Sequence, residues 1–125
     1  MRWYSGEGKV ALVTGATGGI GGAAVKLFRE AGAAVVATGR DQQQVEEVFS
    51  SDDHVLALGA DFSKENEARN AIASALGRYG RIDHVVHSAG AVGKGRLEET
   101  SLSDWHRLMD INLTSAFLLC RESYS

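Results

Sequence analysis

Short apolar runs rich in valine alternate along the chain with longer stretches whose apolar residues recur at helical spacing. Val10 to Thr14 is continuous and apolar and runs at once into glycines, the pattern of a strand covered on both faces. Ile20, Ala24, Leu27, Phe28 and Ala31 fall at offsets of 0, 4, 7, 8 and 11, a single helical stripe, with Gly32 as its stop. Ala34 to Thr38 reads as a second buried strand. Asp41-Gln42-Gln43-Gln44 has the form of a capping box and opens a helix reaching about Phe49. After a polar turn at Ser51 to Asp53, Val55 to Leu58 is a third strand. Ser63 is placed to cap the next helix, with Glu65 and Glu67 in its first turn. Ala68, Ala71, Ile72, Ala75, Leu76 and Tyr79 form the stripe of that helix, and Gly80 ends it. Ile82 to His87 is a fourth strand. A glycine-rich loop, Gly90 to Gly95, comes next, and Ser101-Leu102-Ser103-Asp104 caps a helix predicted to run to the chain end.

Strands separated by helices of this length are βαβ units, so the expected fold is α/β, a doubly wound parallel sheet with right-handed crossovers. The expected strand order is 3-2-1-4, the first part of a six-strand pattern. At 125 residues the chain is one domain, with no linker or internal repeat. A composition of 44% hydrophobic and 23% charged residues excludes wholesale disorder. A net charge of -3 leaves no basic face for nucleic acid. The longest apolar runs are five residues, Ala33 to Ala37 and Ala116 to Cys120, too short for a membrane span. Cys120 is the single cysteine, so no internal disulfide forms and a cytoplasmic location is expected. No metal site is expected either, because His84 and His87, three apart in a strand, face opposite sides.

The candidate chemistry begins where the first strand ends, at Thr14-Gly15-Ala16-Thr17-Gly18-Gly19-Ile20-Gly21. Glycines between a strand and a helix let backbone N–H groups approach a pyrophosphate, and the helix N-terminus supplies partial positive charge. No Gly-Lys-Ser/Thr occurs, which excludes a Walker loop. Just past the second strand, Arg40 stands at the position where an acid reads a ribose hydroxyl and an arginine suits a 2′-phosphate. Asp41 fits an N-cap better than a ribose reader. NADP(H) is therefore favoured, with NAD(H) as the alternative. On the last helix Asn112 interrupts an apolar stripe of Trp105, Leu108, Ala116 and Leu119, and must find polar partners there.

From Lys9 onward the chain resembles the short-chain dehydrogenase/reductase family. The loop is similar to that family's T-G-x-x-x-G-x-G through Gly15, Gly19 and Gly21, and to the T-G-x-x-G-x-x-G form through Gly15, Gly18 and Gly21. Asp61, with Phe62 beside it, looks like the adenine-contacting Asp. His87-Ser88-Ala89-Gly90 looks like N-N-A-G, with His and Ser replacing the two asparagines. Asp110-Ile111-Asn112-Leu113-Thr114 looks like the segment carrying the catalytic Asn, which holds a water of the proton relay. The resemblance implies a Rossmann-type domain over residues 1–125 that binds the cofactor through Gly15, Thr17, Gly18, Gly19, Ile20, Gly21, Arg40, Asp61, Phe62, Ser88, Ala89 and Gly90. It implies hydride transfer between nicotinamide and a carbonyl or secondary alcohol, with a 3-oxoacyl thioester as the plainest substrate guess and a homo-oligomer as the expected assembly. The family's catalytic Ser and Y-x-x-x-K lie beyond the Asn helix, and no Y-x-x-x-K occurs here. The expectation is the N-terminal portion of such a reductase, inactive alone. The alternative is a non-catalytic dinucleotide-binding or assembly fragment.

Overall fold

The computed structural model describes residues 3–124. Four parallel strands, β1 (Val10–Thr14), β2 (Ala34–Gly39), β3 (Val55–Gly59) and β4 (His84–His87), form one sheet in the order β3-β2-β1-β4. The order and direction match the sequence expectation. Register is fixed by Leu12 pairing with Val36 and Val85, and Val36 with Leu56. Five helices connect and cover the strands: α1 (Gly19–Glu30), α2 (Gln42–Phe49), α3 (Glu65–Tyr79), α4 (Leu102–Met109) and α5 (Ser115–Ser123).

Successive strand residues point to opposite faces, so the sheet builds two cores. Val10, Leu12 and Val36 pack with Phe62, Ile72, Leu118 and Leu119 of the α3/α5 side. Ala11, Val13, Val35 and Ala37 pack with Val25 of α1 and Val45 of α2 on the other. Each fully buried Val or Leu here contributes about 1.5–3 kcal/mol of hydrophobic stabilisation. The wide, deep core around β1 holds its carboxyl end, and the loop that leaves it, in a fixed place.

Several predicted details differ. In α1 the buried line is Gly21, Val25 and, half-buried, Phe28, while Ile20 is 79% and Leu27 48% exposed. The bare Cα of Gly21 lets the helix lie close on the sheet and turns the stripe by one residue. In α3 the stripe stands at Ala68, Ala71, Ile72 and Ala75, but Leu76 is exposed. Lys64, not Ser63, occupies its N-cap, because the Ser63 hydroxyl and amide both donate to Asp61 Oδ1 at 2.6 and 3.0 Å. β4 begins at His84 rather than Ile82, although the Asp83 amide still donates to the Val10 carbonyl at 2.8 Å.

The last helix is not continuous. Between α4 and α5, Asp110 to Thr114 form a π turn, in which the Ser115 amide donates to the Asp110 carbonyl five residues back. The extra residue rotates the face that α5 turns to the core. Ser115, Leu118 and Leu119 are buried, while Asn112 and Trp105 of the expected stripe are exposed.

Candidate functional site

The carboxyl ends of all four strands open into one cleft of about 360 Å³, the place where open α/β sheets hold ligands. Thr14, Gly15, Thr17 and Gly18 line it from the first loop, Thr38, Gly39 and Arg40 from the second, and Ala60, Asp61 and Phe62 from the third. Ser88, Ala89, Gly90 and Ala91 line it beyond β4, with Ile111 and Ser115 from the π turn and α5.

The loop glycines have two different duties. Gly15 has φ +61°, the left-handed region, and a Cβ there would lie 2.8 Å from the Ala89 nitrogen. A Cβ on Gly21 would collide with the Gly15 carbonyl and lie 2.7 Å from Ser88 Oγ. These two glycines close the loop against the chain's own backbone, and Gly15 also lines the cleft. Gly18 and Gly19 are open: a Cβ on Gly18 would meet only the Gly15 carbonyl at 3.4 Å, and one on Gly19 nothing within 4 Å. No side chain caps the N-terminus of α1, so its first-turn amides remain available to an anion. Ile20, 79% exposed, projects its side chain away from the core and is not among the residues lining the cleft.

Polar groups tie the cleft's walls together. Ser88 donates its hydroxyl to the Thr14 carbonyl. Thr14 Oγ1 accepts from the Ala89 amide at 3.2 Å and lies 2.8 Å from His87 Nδ1. Thr14 thus stabilises the turn, as its position at the strand end suggests. Thr38, also buried, donates to the Val13 carbonyl at 3.3 Å.

Arg40 is exposed at the cleft's rim and forms no salt bridge with another described residue. Its neighbour Asp41 is spent on capping α2, accepting from the Gln43 and Gln44 amides at 3.0 and 3.4 Å. At Gly39 a Cβ would lie 2.8 Å from Val45 Cγ2. Burial pushes the Asp61 carboxyl up, but the Ser63 hydroxyl and amide and the Arg40 and Lys64 charges outweigh it and hold the pKa below the ordinary value. Asp61 is therefore ionised at neutral pH. The Phe62 ring belongs to the core, and its main chain borders the cleft.

Asn112 stands beside the cleft rather than lining it. Its Oδ1 accepts from the Ala91 amide at 3.1 Å, and its Nδ2 donates to the Ala91 and Leu108 carbonyls at 2.8 and 2.9 Å. The side chain is a clip between the loop after β4 and the π turn. Two residues at this end of the cleft were not among the expected site residues, His87 and Ser115. Ser115 is buried and its Oγ lies 3.2 Å from His87 Nε2. The signal for Ser115 was a small polar residue one turn after Asn112.

Comparison with known proteins agrees with this geometry. Residues 9–125 match the family model described as short chain dehydrogenase. The chain belongs to the short-chain dehydrogenase family, and its fold is that family's Rossmann-like sheet. It is 36% identical over 119 residues to a 3beta-hydroxysteroid dehydrogenase of Mediterraneibacter gnavus, covering 91% of this chain and 43% of that protein. It is 38% identical over 114 residues to a mitochondrial borneol dehydrogenase of Lavandula x intermedia, covering 90% and 44%. A solved 3-ketoacyl-(acyl-carrier-protein) reductase of Brucella melitensis, complexed with NADH, superposes with a TM-score of 0.89 at 34% identity, covering 94% of this chain and 50% of that one. The chain thus spans less than half the length of these curated relatives.

Proposed function

We propose that this chain is the cofactor-binding part of an NADP(H)-dependent oxidoreductase acting on a carbonyl or secondary alcohol. The observation that carries this reading is the uncapped α1 terminus, with the open Gly18 before it, in one cleft with the guanidinium of Arg40, which forms no salt bridge with another described residue. Amides of Gly19 to Gly21, with Thr17 beside them, face the pyrophosphate; the Gly18 amide is held by the Gly15 carbonyl at 3.1 Å. Arg40 faces a 2′-phosphate, and the ionised Asp61 with the Phe62 main chain faces the adenine. Ser88, Ala89 and Gly90 border the nicotinamide end, next to Asn112. The bound nicotinamide supplies or takes up the hydride. The relatives named for borneol, a 3β-hydroxysteroid and a 3-ketoacyl group share a secondary alcohol or ketone, which is the substrate class assigned here.

The test is calorimetric titration with NADP⁺ and NAD⁺. The parent should bind NADP⁺ at least tenfold more tightly, since a charge-assisted hydrogen bond is worth about 1.5–3 kcal/mol. Arg40→Ala should bring the two affinities together. Equal affinities in the parent would defeat the NADP(H) assignment.

A further inference from the structure

The ring of His87 stands between two hydroxyls on separate elements, Thr14 at the end of β1 and Ser115 at the start of α5. Sequence separations of 73 and 28 residues make these tertiary contacts. The direction of each hydrogen bond is set by the other bonds the hydroxyls make. Ser115 donates its proton to the Ile111 carbonyl at 2.5 Å, so toward His87 it accepts only, and Nε2 must carry a proton. Thr14 Oγ1 already accepts from the Ala89 amide, and its own proton has Nδ1 as partner at 2.8 Å. A neutral ring with Nε2–H and a bare Nδ1 satisfies both hydroxyls.

We propose that His87 is a positioning residue. Locked as the neutral Nε2–H tautomer, it closes a hydrogen-bond chain from the Ala89 amide through Thr14, His87 and Ser115 to the Ile111 carbonyl. That chain fixes the glycine loop relative to the π turn that presents Asn112.

A second proton would sit on Nδ1 and face Thr14, whose hydroxyl would have to turn away and lose its acceptor. Burial opposes the cation and the Asn112 main-chain carbonyl favours it. Burial is the larger, so the pKa lies below the ordinary histidine value. The groups facing the ring from β1, the π turn and α5 are the Thr14 hydroxyl, the Asn112 main-chain carbonyl and the Ser115 hydroxyl. No carboxylate or cation among the described residues contributes to its titration. An Asn side chain, shorter than the imidazole, could not span from Thr14 to Ser115 as His87 does.

The proposal rests on the proposed function only for its effect on cofactor affinity, and the experiment separates the two. Long-range ¹H–¹⁵N spectra of the chain at pH 7.5 should show His87 as a single neutral tautomer protonated at Nε2. An Nδ1–H tautomer, or an averaged ring, overturns the proposal. Ser115→Ala in the parent should lower the melting temperature and raise the Kd for NAD⁺ several-fold. In a His87→Asn background, where the second arm is already gone, Ser115→Ala should raise Kd at least threefold less. Equal effects in both backgrounds, in melting temperature and in Kd, overturn the link between the two side chains. Between pH 6.5 and 5, NAD⁺ affinity should fall in the parent and stay level in His87→Asn; parallel profiles contradict the proposal. If the parent binds neither NAD⁺ nor NADP⁺, the proposed function falls, and the ring spectra with the melting-temperature cycle still decide the role of His87.

Discussion

Glycine is used in two senses within seven residues. Gly15 and Gly21 are glycines because the chain's own backbone occupies the space a side chain would take, whereas Gly18 and Gly19 leave open the space in front of α1. Substitutions should separate the two. Gly21→Val should cost several kcal/mol and leave little folded protein, since overpacking against rigid backbone has no soft way out. Gly19→Leu should leave the melting temperature nearly unchanged and weaken dinucleotide binding about tenfold or more. A folded Gly21→Val, or a Gly19→Leu that binds normally, would contradict this division. Asp83 provides a second residue-scale test. The Arg81 guanidinium, first of the influences on it, with the Val10 amide outweighs burial and holds its carboxyl at about 2. Because the folded value is depressed, the stabilisation is full above the unfolded value of 3.8 and is lost as pH falls toward 2. Urea midpoints measured from pH 5 to pH 2 should therefore fall more steeply for the parent than for Asp83→Asn. Parallel curves would remove Asp83 from the acid-sensitive groups.

At the scale of elements, the π turn is the feature that builds the side of the cleft beyond β4. It turns Ser115 inward toward His87 and leaves Asn112 facing the loop after β4, where it clips Ala91 on both its amide and its carbonyl. Asn112→Ala should free that loop and cost about 1–3 kcal/mol. Hydrogen exchange at Ala91 should accelerate, and a protected Ala91 in the variant would show that the clip is redundant. The strands and the order of the sheet were legible in the sequence because valine runs ending in glycine or polar turns have few other readings. The α1 stripe was misread by one residue because the contact that sets it is made by Gly21, a residue without a side chain to count. The π turn left no mark in the hydrophobic spacing, since one shifted hydrogen bond changes the face and not the composition. The His87–Ser115 contact joins a strand to a helix 28 residues later, a distance over which a single sequence carries no pairing signal.

For the whole molecule, the two-sided core sets β1 at the centre and β4 at the edge of the sheet. On its inward side β4 pairs with β1, and its outer edge presents unpaired backbone with Val85 37% exposed. Such edges invite pairing with another chain. On α5, Phe117 is 58% exposed beside Leu113. The 125-residue chain should therefore self-associate, and sedimentation showing a monomer that persists at high concentration would contradict this. The same arrangement brings four strand ends to one cleft, which is why residues as distant as Gly18, Arg40, Asp61 and Ala89 share it. The central claim is that this cleft holds a dinucleotide with its pyrophosphate on the α1 terminus. The direct measurement is an amide ¹H–¹⁵N titration of the chain with NADP⁺. Binding in the cleft predicts saturable shifts, one ligand per chain, concentrated at Gly18 to Gly21, Arg40, Asp61 to Phe62 and Ser88 to Ala91. Saturating NADP⁺ and NAD⁺ that leave those amides unmoved, or move a different face, would contradict it.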